Sequence, residues 1–426
     1  MLGSHSQRQD LHIDPSLPPQ PPRDATDHHL HHHPHHHRQQ MDIRQLLSCC
    51  AQQISRSDFS AAHRLISFLS ANSSPTGDST DRLVHYFTNA LALRLHHHHL
   101  RHHPPPLLTD SCNDYFTYVD RYDDAILQKS YLSLNQITPF VRFSHLTANQ
   151  AILEAIDPVH HPKHIHILDF DIMHGVQWPP LMQAIAERYP TPTPTLRITS
   201  TGTDLDNLRR TGDRLSNFAH SLNLNFRFHP LVVPNEDNVD DIIYRLSAVI
   251  LLPNEILAVN CVLYLHRLLK DRESFLLLLR KIKTMNPKVV TLAEKEANYN
   301  NPLFLSRFSE AVNYYTAVFD SLEATLPPNS RERMEVEQVW FGREIADVVA
   351  AEGEKRRERH ERFRSWEVVM RSAGFSNFPV SGFAVAQAKL LLRLHYPSEG
   401  YSLQVLNDCF FLGWQNQPLF SVSAWH

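Results

Sequence analysis

The stretch of residues 164–178, H-I-H-I-L-D-F-D-I-M-H-G-V-Q-W, constrains the fold more than any other part of this sequence. Its first half is the apolar run of a buried strand, and Asp169 and Asp171 stand where that strand should end. Gly175 then turns the chain, and the prolines at 179–180 suit the first turn of a helix, where a missing N–H costs nothing. A strand, a short acidic loop and a helix predict the opening of a Rossmann-like unit.

The sequence after residue 178 continues this alternation of strand and helix. Further apolar runs, separated by helical segments, predict strands at residues 196–200, 226–233, 256–261 and 289–293. Such an order implies a parallel sheet with right-handed crossovers. A helix at 382–394 precedes short strands that predict an antiparallel meander, at 401–406, 409–414 and 419–425. The predicted fold class is α/β, with a Rossmann-like core sheet in the layout of the class I methyltransferases and an N-terminal helical cap.

The first 155 residues divide into a tail and this helical cap. Residues 1–40 are rich in His, Pro, Gln and Asp and cannot bury enough apolar surface to fold alone. We interpret them as a solvated tail, although a metal-binding tract is the alternative. Residues 41–155 carry leucine-rich helical hairpins, interrupted by a second His/Pro-rich stretch that predicts a loop at 96–110. Residues 156–426 then form the α/β core that ends in the meander.

The composition excludes several classes of protein. Hydrophobic content of 42% with 20% charged residues is typical of a globular protein with an ample core. The net charge of −4 provides no overall attraction to nucleic acid or anionic membrane, so any DNA contact must come from a local patch. The sequence shows neither a long apolar run nor an apolar leader, and its cysteines form no CxxC pair. We therefore expect an intracellular protein without a membrane span.

The carboxyl ends of the predicted strands form a candidate ligand site. Ligands of open α/β sheets bind at that edge, and this chain places there Asp169, Asp171, His174, Asp204, Asn260 and Glu294. A cofactor loop normally contains several glycines, but the loop after the first strand has only Gly175 and carries the bulky Met173 and His174. We therefore predict no cofactor and interpret the carboxylates as partners of backbone N–H groups that cap the next helix. Binding of S-adenosylmethionine is the alternative.

Six motifs, in order along residues 41–426, make the chain resemble the plant GRAS family of transcriptional regulators. The central strand is similar to the family's VHIID core through Ile165, His166, Ile167, Leu168 and Asp169, and Gly-x-Gln-Trp follows at 175–178. Leucine-rich regions lie at 43–95 and 259–269, and L-R-I-T lies at 196–199. The PFYRE-like region runs from Asn301 to Arg343 and Glu344. The terminal region contributes Trp366, Gly374, Trp414, Ser423, Ala424 and Trp425.

Two further segments, S-L-E-A-T-L-P-P-N-S-R-E-R and L-L-L-R-L-H-Y-P-S-E-G-Y, are similar to the Lateral suppressor group of that family. The resemblance implies a nuclear transcriptional regulator, and not an enzyme, that acts in shoot branching through axillary meristem initiation. It also implies transcription factors or other nuclear proteins as partners, homo- or heterodimers with GRAS proteins, and direct DNA contact as a further option. Two other classes stay open: a methyltransferase-like enzyme that binds S-adenosylmethionine, and a scaffold that recruits a DNA-binding protein without touching DNA.

The sequence L-H-R-L-L at 265–269 is an LxxLL motif. On a helix it places Leu265, Leu268 and Leu269 on one face, which suits docking into the groove of a partner protein. The same spacing suits packing in the core, so the motif alone leaves both interpretations open.

The segment K-R-R-E-R-H-E-R-F-R at 355–364 is a local concentration of positive charge. Its basic side chains could meet DNA phosphates or an import receptor, and the candidates are Lys355, Arg356, Arg357 and Arg359. The interleaved Glu358 and Glu361 favour the alternative of a solvated helix with i,i+4 ion pairs.

The remaining motif residues are predicted to be structural. We expect Arg343 and Glu344 to form a salt bridge that orients helices, and the terminal aromatic side chains to pack the sheet rather than form a ligand cage. No Ser-His-Asp, Cys-His or zinc-ligand spacing stands out in the sequence, so neither a catalytic set nor a metal site is predicted.

Overall fold

The computed structural model describes residues 42–102, 124–156 and 162–426, so the predicted tail at 1–40 lies outside the described residues. Its centre is one mixed sheet in the order β3-β2-β1-β4-β5-β9-β8-β7, with β6 beside β9. The strands are β1 His164–Asp169, β2 Thr195–Gly202, β3 Phe226–Val232, β4 Glu255–Val262, β5 Val289–Lys295, β6 Asn377–Phe378, β7 Tyr401–Leu406, β8 Cys409–Trp414 and β9 Gln417–Trp425.

Helices occupy most of the described chain outside the sheet. They are α1 Ile43–Ser55, α2 Phe59–Ala71, α3 Ser79–His102, α4 Asp124–Ile137, α5 Pro139–Ile156, α6 Trp178–Arg188, α7 Leu205–Ser221, α8 Val239–Leu246, α9 Arg272–Thr284, α10 Phe304–Thr325, α11 Arg331–Val336, α12 Gly342–Ala350, α13 Phe363–Ser372 and α14 Gly382–His395. Short 3₁₀ turns cover Leu265–Leu268 and Gly353–Lys355, and a π-helical turn covers Glu337–Phe341. Among these helices, none combines the length and the apolar character that crossing a membrane requires.

The sheet confirms the predicted α/β class and its Rossmann-like core. Strands β1 to β5 are parallel, and the chain moves from β1 outwards to β3 before it restarts at β4 on the other side of β1. β9, β8 and β7 then extend the sheet beyond β5 in antiparallel pairs, which is the predicted meander. Ile165, Ile167 and Leu168 are fully buried because β1 lies at the centre of a sheet that is covered on both faces. The reversal of strand order places a switch point between β1 and β4.

The helical cap draws on two parts of the chain. Helices α1 to α3 share one buried apolar cluster with α10 and α12, which include Phe319 and Ile345. The cap was predicted mainly from residues 41–155, and the helices of 304–350 were not assigned to it. Helix α5, expected in the cap, instead lies on the sheet, where Phe140 stacks on Phe420 of β9 with ring centroids 5.0 Å apart. The apolar faces of both regions read alike in sequence, and only the packing separates them.

The loop predicted at 96–110 is wrong in its first part. Helix α3 continues through His102, because the run H-H-H-H-L-R-H contains no residue that breaks a helix before Pro104. Leu93 and Leu95 are buried, and the ring Nδ1 of His97 lies 3.4 Å from the carbonyl oxygen of Ala350. Residues 103–110 lie outside the described residues.

Candidate functional site

The carboxyl ends of β1 and β4 meet at the crevice where doubly wound sheets bind nucleotides. Asp169 ends β1 and is in register with Asn260 of β4. The Asp169 carboxylate is only 2% exposed, and it accepts hydrogen bonds from Trp178 Nε1 at 2.9 Å and Asn260 Nδ2 at 3.0 Å. Burial raises the pKa of Asp169 to about 7, while these N–H donors act in the opposite direction. The acid that heads the crevice is therefore engaged with protein groups.

Two further polar side chains close the crevice. Gln177 Nε2 donates to Asn260 Oδ1 at 3.0 Å and to Asn149 Oδ1 at 3.2 Å, and Asn149 Nδ2 donates to the Gln177 carbonyl at 2.8 Å. We call the set of Asn149, Asp169, Gln177, Trp178 and Asn260 the crevice network. All five are at most 6% exposed. Because its donors and acceptors satisfy one another, the network braces β1, β4, α5 and the start of α6.

Contacts within the protein fix the conformation of the loop between β1 and α6. Met173 and Gly175 have φ values of +44° and +70°, and the Met173 N–H donates to Asp171 Oδ1 at 3.3 Å. His174 stacks on Tyr131 of α4, with ring centroids 6.1 Å apart and planes 25° apart. A side chain at position 175 would place its Cβ 3.0 Å from Thr211 Cγ2. The absence of a side chain at Gly175 therefore allows α7 to pack closely against the loop.

The expectation that the strand-end carboxylates cap the next helix is right at one strand and wrong at the other. Gln177 stands at the N-cap of α6 without a side-chain cap, and Asp169 bonds the indole of Trp178 instead. Asp204 does cap α7, because its carboxylate accepts from the N–H groups of Asp206 at 2.7 Å and Asn207 at 3.2 Å. An acid after the second strand could hold ribose hydroxyls, but here that carboxylate is occupied by the helix terminus.

These residues do not fit S-adenosylmethionine. The loop after β1 contains one glycine, which packs closely against α7, and bulky side chains stand at positions 173 and 174 where a cofactor loop would have further glycines. The crevice itself is filled by the network. The carboxylates that a cofactor would require already accept hydrogen bonds from protein N–H groups, two at Asp169 and three at Asp204.

A cavity of 440 Å³ lies beside the crevice, between the strand ends, α4, α12 and residues 351–360. Most of its lining charges are paired with one another. Arg267 lies 3.5 Å from Asp171 and 3.8 Å from Glu236, and Arg357 lies 2.6 Å from Glu236. Apolar side chains complete the wall, namely Leu93, Met173, Leu263, Val339 and Trp340. The cavity is thus roomy and has both charged and apolar walls, but most of its charges already have partners in the protein.

The LxxLL motif is not a docking face. Leu265 and Leu268 lie in a 3₁₀ turn rather than an α-helix, and Leu265, Leu268 and Leu269 are only 0%, 1% and 6% exposed. They pack in the cluster that contains Phe275 and Leu278 of α9. The docking interpretation is therefore wrong, because a partner could reach these leucines only if the core opened. Core packing, the alternative, describes them.

The basic run is neither a solvated helix nor a phosphate-binding surface. Residues 356–362 have no regular secondary structure, and Arg356 and Arg359 are buried. Arg359 donates from Nε to the Arg356 carbonyl at 3.1 Å, and Arg357 forms ion pairs with Glu236 at 2.6 Å and Asp237 at 3.0 Å. Of the predicted contacts only Lys355 is exposed. Arg356 and Arg359 are thus buried, and Arg357, whose side chain is 43% exposed, is paired with the acids of the 236–237 loop.

The other motif residues hold the structure together. Glu344 forms an ion pair with Lys295 Nζ at 2.5 Å and accepts a hydrogen bond from the Tyr315 hydroxyl at 2.7 Å, so it links α12 to β5 and α10. Trp414 and Trp425 are buried on different sides of the sheet, and Trp425 Nε1 donates to Ser423 Oγ at 2.9 Å. Trp366 of α13 is buried against Phe275. Gly374 follows α13 with φ +92°, and Ala424 pairs with Thr291 of β5.

One group of titratable residues at the cavity wall was missed by sequence analysis. His266 and His360 stack with ring centroids 3.7 Å apart, and each Nδ1 lies close to Glu294 Oε2, at 2.9 Å and 3.0 Å. Glu358 Oε2 lies 3.0 Å from Nε2 of His360 and 3.6 Å from Nε2 of His266. We call these four residues the histidine sandwich. Glu294 was expected at the strand ends, but no pattern in the sequence predicts that the side chains at positions 266 and 360 are in contact.

Comparison with known proteins gives consistent matches over the described domain. The model of the GRAS domain family matches residues 43–426. The chain is 51% identical to Scarecrow-like protein 18 of Arabidopsis thaliana over 90% of this chain and 91% of that protein. It is 43% identical to protein MONOCULM 1 of Oryza sativa subsp. japonica, over 90% and 88% of the two chains. It is 33% identical to DELLA protein GAI of Solanum lycopersicum, over 89% of this chain and 63% of that protein. The crystal structure of SCL7 from Oryza sativa superposes with a TM-score of 0.73 at 34% identity, over 90% of this chain and 99% of that chain.

Proposed function

Since this chain belongs to the GRAS domain family, we propose that it controls shoot branching, in axillary meristem initiation, as a nuclear regulator that acts through protein partners. GRAS proteins are transcriptional regulators, and this chain is a regulator of that type rather than an enzyme. The branching role rests on the segments similar to the Lateral suppressor group. Membership of the family supports the proposed nuclear location and the proposed partners, which are transcription factors and other GRAS proteins.

The main support for the assignment as a regulator is the length of the alignment with Scarecrow-like protein 18. Identity of 51% spans 405 residues, which includes the helical cap, the core sheet and the terminal meander. The closed crevice adds a physical argument against the methyltransferase-like alternative. A transferase must hold its methyl donor at the strand ends, and there the crevice network leaves its polar groups bonded to one another.

We propose that contact with chromatin is made through a partner rather than by this chain. The basic run was the local patch that could offset a net charge of −4. Its arginines at 356, 357 and 359 are buried or paired with acids, so they present little charge to phosphates. A regulator of this kind would be recruited by a DNA-binding protein, which corresponds to the scaffold alternative within the GRAS type.

Chromatin occupancy of the intact, tagged protein in shoot tissue tests this proposal, together with a gel shift of the purified full chain on the same fragments. We expect discrete occupied sites, and no shift by the purified chain until nuclear extract is added. Absence of occupied sites would contradict the role in transcription. A shift by the purified chain alone would contradict recruitment through a partner. Unchanged axillary meristem number in plants that lack the protein would contradict the branching role.

A further inference from the structure

The histidine sandwich joins three separate parts of the chain inside the protein. Glu294 is the penultimate residue of β5, His266 lies in the turn after β4, and Glu358 and His360 belong to the irregular segment 356–362. His266, Glu294 and His360 are at most 3% exposed. Both histidines and Glu358 also line the 440 Å³ cavity. Three buried ionisable groups and the partly buried Glu358 at a cavity wall require an account of the charge that they carry.

The geometry at His360 requires one more hydrogen than a neutral imidazole has. Its Nδ1 is 3.0 Å from Glu294 Oε2, and its Nε2 is 3.0 Å from Glu358 Oε2, which are hydrogen-bond distances on both sides. A carboxylate only accepts, and a neutral imidazole carries a single N–H. One of the two contacts would otherwise bring a lone pair against an anion. An additional proton therefore lies on the line through Glu294, His360 and Glu358.

His266 needs no such proton. Its Nδ1 lies 2.9 Å from Glu294 Oε2, but its Nε2 is 3.6 Å from Glu358 Oε2, beyond hydrogen-bond distance. A single hydrogen on Nδ1 satisfies it. A neutral ring at 266 also avoids the repulsion between two cations whose ring centroids are 3.7 Å apart. The sandwich thus holds one charged and one neutral imidazole between two carboxylates.

The same residues do not present a good metal site. Among the described residues, His266, Glu294 and His360 form the group of donors that lies close enough together to hold an ion, with ligand atoms within 4.8 Å. The two rings, however, are stacked with planes only 24° apart. Both Nδ1 atoms are within hydrogen-bond distance of Glu294 Oε2, at 2.9 Å and 3.0 Å, so a carboxylate oxygen already occupies the point at which the two ring nitrogens converge.

We propose that the histidine sandwich is a proton-binding site that fastens residues 356–362 to the core and thereby holds one wall of the cavity closed. The inference concerns regulation of the fold and is independent of the branching role. The segment has no secondary structure of its own. Its backbone is held at the Asp347 carboxylate, which accepts from the N–H groups of Arg357 and Glu358, and at the His360 carbonyl, which accepts from Tyr299.

The charges around the sandwich favour this proton on balance. Glu294 and Glu358 contact His360 directly, whereas Lys295 of β5 opposes its protonation. Further ionisable groups nearby are Arg267 of the same turn as His266, Asp347 and Glu344 of α12, Tyr299 after β5, and Tyr314 and Tyr315 of α10. Burial opposes charge on both rings, but hydrogen bonds to the two carboxylates raise the pKa of His360 above its usual 6.5. Burial, followed by the neighbouring His360, lowers the pKa of His266 to about 4.

The sign of the pH effect follows from these directions. A histidine whose pKa is raised by folding contributes stability that is complete below pH 6.5 and is lost as the pH rises to its pKa in the closed state. In that interval the opening equilibrium of 356–362 should rise by up to about tenfold per pH unit, since opening releases one proton. Above the interval it should become independent of pH.

Hydrogen exchange of the full chain, followed by mass spectrometry between pH 6 and pH 9, tests the proposal on peptides that cover 356–362. After correction for the intrinsic exchange rate, the wild type should show the rise in opening, and His360→Gln should not. Glu358→Gln should show a smaller rise, and it carries the test if His360→Gln fails to fold. Glu361→Gln is the matched control, because Glu361 contacts Asn300 and Arg272 but neither histidine, and it should behave like the wild type.

Two outcomes would overturn the proposal. One is an opening equilibrium of residues 356–362 that does not depend on pH in the wild type. An equal dependence on pH in the wild type and in both test variants would count in the same way. The other is a difference in metal content, in which the purified wild type contains one more transition-metal ion per chain than the His360→Gln variant. Histidines elsewhere in the chain are common to both proteins, so this difference reports the sandwich alone.

Discussion

The indole N–H of Trp178 donates to the Asp169 carboxylate at 2.9 Å and so joins the first turn of α6 to the end of β1. In a nucleotide-binding sheet of this topology, that interval is where backbone N–H groups of a glycine-rich loop meet the ligand. Here a tryptophan donor and the amide of Asn260 meet the same carboxylate. The ligand-binding edge of the fold has become an internal brace, and several measurable consequences follow.

Replacing the acid of this brace should destabilise the protein. Asp169→Asn turns one acceptor oxygen into an NH₂ group, so either Trp178 or Asn260 faces another donor in a buried site. We expect a loss of about 1–3 kcal/mol in the free energy of unfolding, measured by urea denaturation. Asp204→Asn is the control, because asparagine caps a helix as well as aspartate and the change should stay within about 0.5 kcal/mol. Equal losses in the two variants would contradict the brace.

The glycine of the loop should tolerate no side chain. Gly175→Ala introduces a Cβ 3.0 Å from Thr211 Cγ2 and 3.3 Å from Leu215 Cδ1, at a φ of +70°. We expect a loss of about 1–3 kcal/mol of stability from the strained backbone conformation. Gly382→Ala, at the first residue of α14 with open space around it, should instead stabilise by about 0.4–1 kcal/mol. The urea midpoints of the two variants should therefore move in opposite directions.

Truncation within the LxxLL motif should act on folding. Leu268→Ala leaves a cavity in a core where the side chain is 1% exposed, so we expect a loss of about 2–5 kcal/mol in thermal or urea unfolding. Leu277→Ala on the neighbouring α9 is the control, since that side chain is 52% exposed and its removal should change stability by less than about 0.5 kcal/mol. Loss of a partner from a Leu268→Ala protein with unchanged stability would restore the docking interpretation.

Neutralising the basic run should weaken an internal contact and leave DNA retention unchanged. Arg357 pairs with Glu236 and Asp237, but its side chain is 43% exposed, so screening limits the loss in Arg357→Gln to about 0.5–1 kcal/mol. The loss should shrink as salt is added. Arg364→Gln, at an exposed site on α13, should have no measurable effect. Loss of chromatin retention in Arg357→Gln without a change in stability would support direct phosphate contact.

Local patterns in the sequence predicted the parts of the fold whose signal is local. The apolar runs of the core located all five parallel strands to within about two residues, because a strand buried on both faces is a nearly continuous apolar segment. The terminal meander was predicted as short strands joined by turns, and Asn407 and Asp408 adopt positive φ in the turn between β7 and β8. Asp169 and Asn260 were both expected at the strand ends, and register brings them together.

Pairings over long sequence distances could not be predicted in this way. Arg357 meets Glu236 across more than a hundred residues, so a segment that looks solvated by its charge is turned inward. His266 and His360 are 94 residues apart in sequence, and each was hidden inside a motif interpreted for another purpose. Asn149 joined the crevice network because α5 lies on the sheet, which its apolar pattern did not distinguish from a place in the cap.

Calorimetric titration of the purified full chain with S-adenosylmethionine tests the central claim, that the strand-end residues brace the fold instead of holding a nucleotide. We predict no saturable heat up to millimolar ligand, and no ligand-dependent rise in the melting temperature of the same sample. Saturable binding at one site per chain, accompanied by such a rise and weakened in Asp204→Asn, would contradict the account.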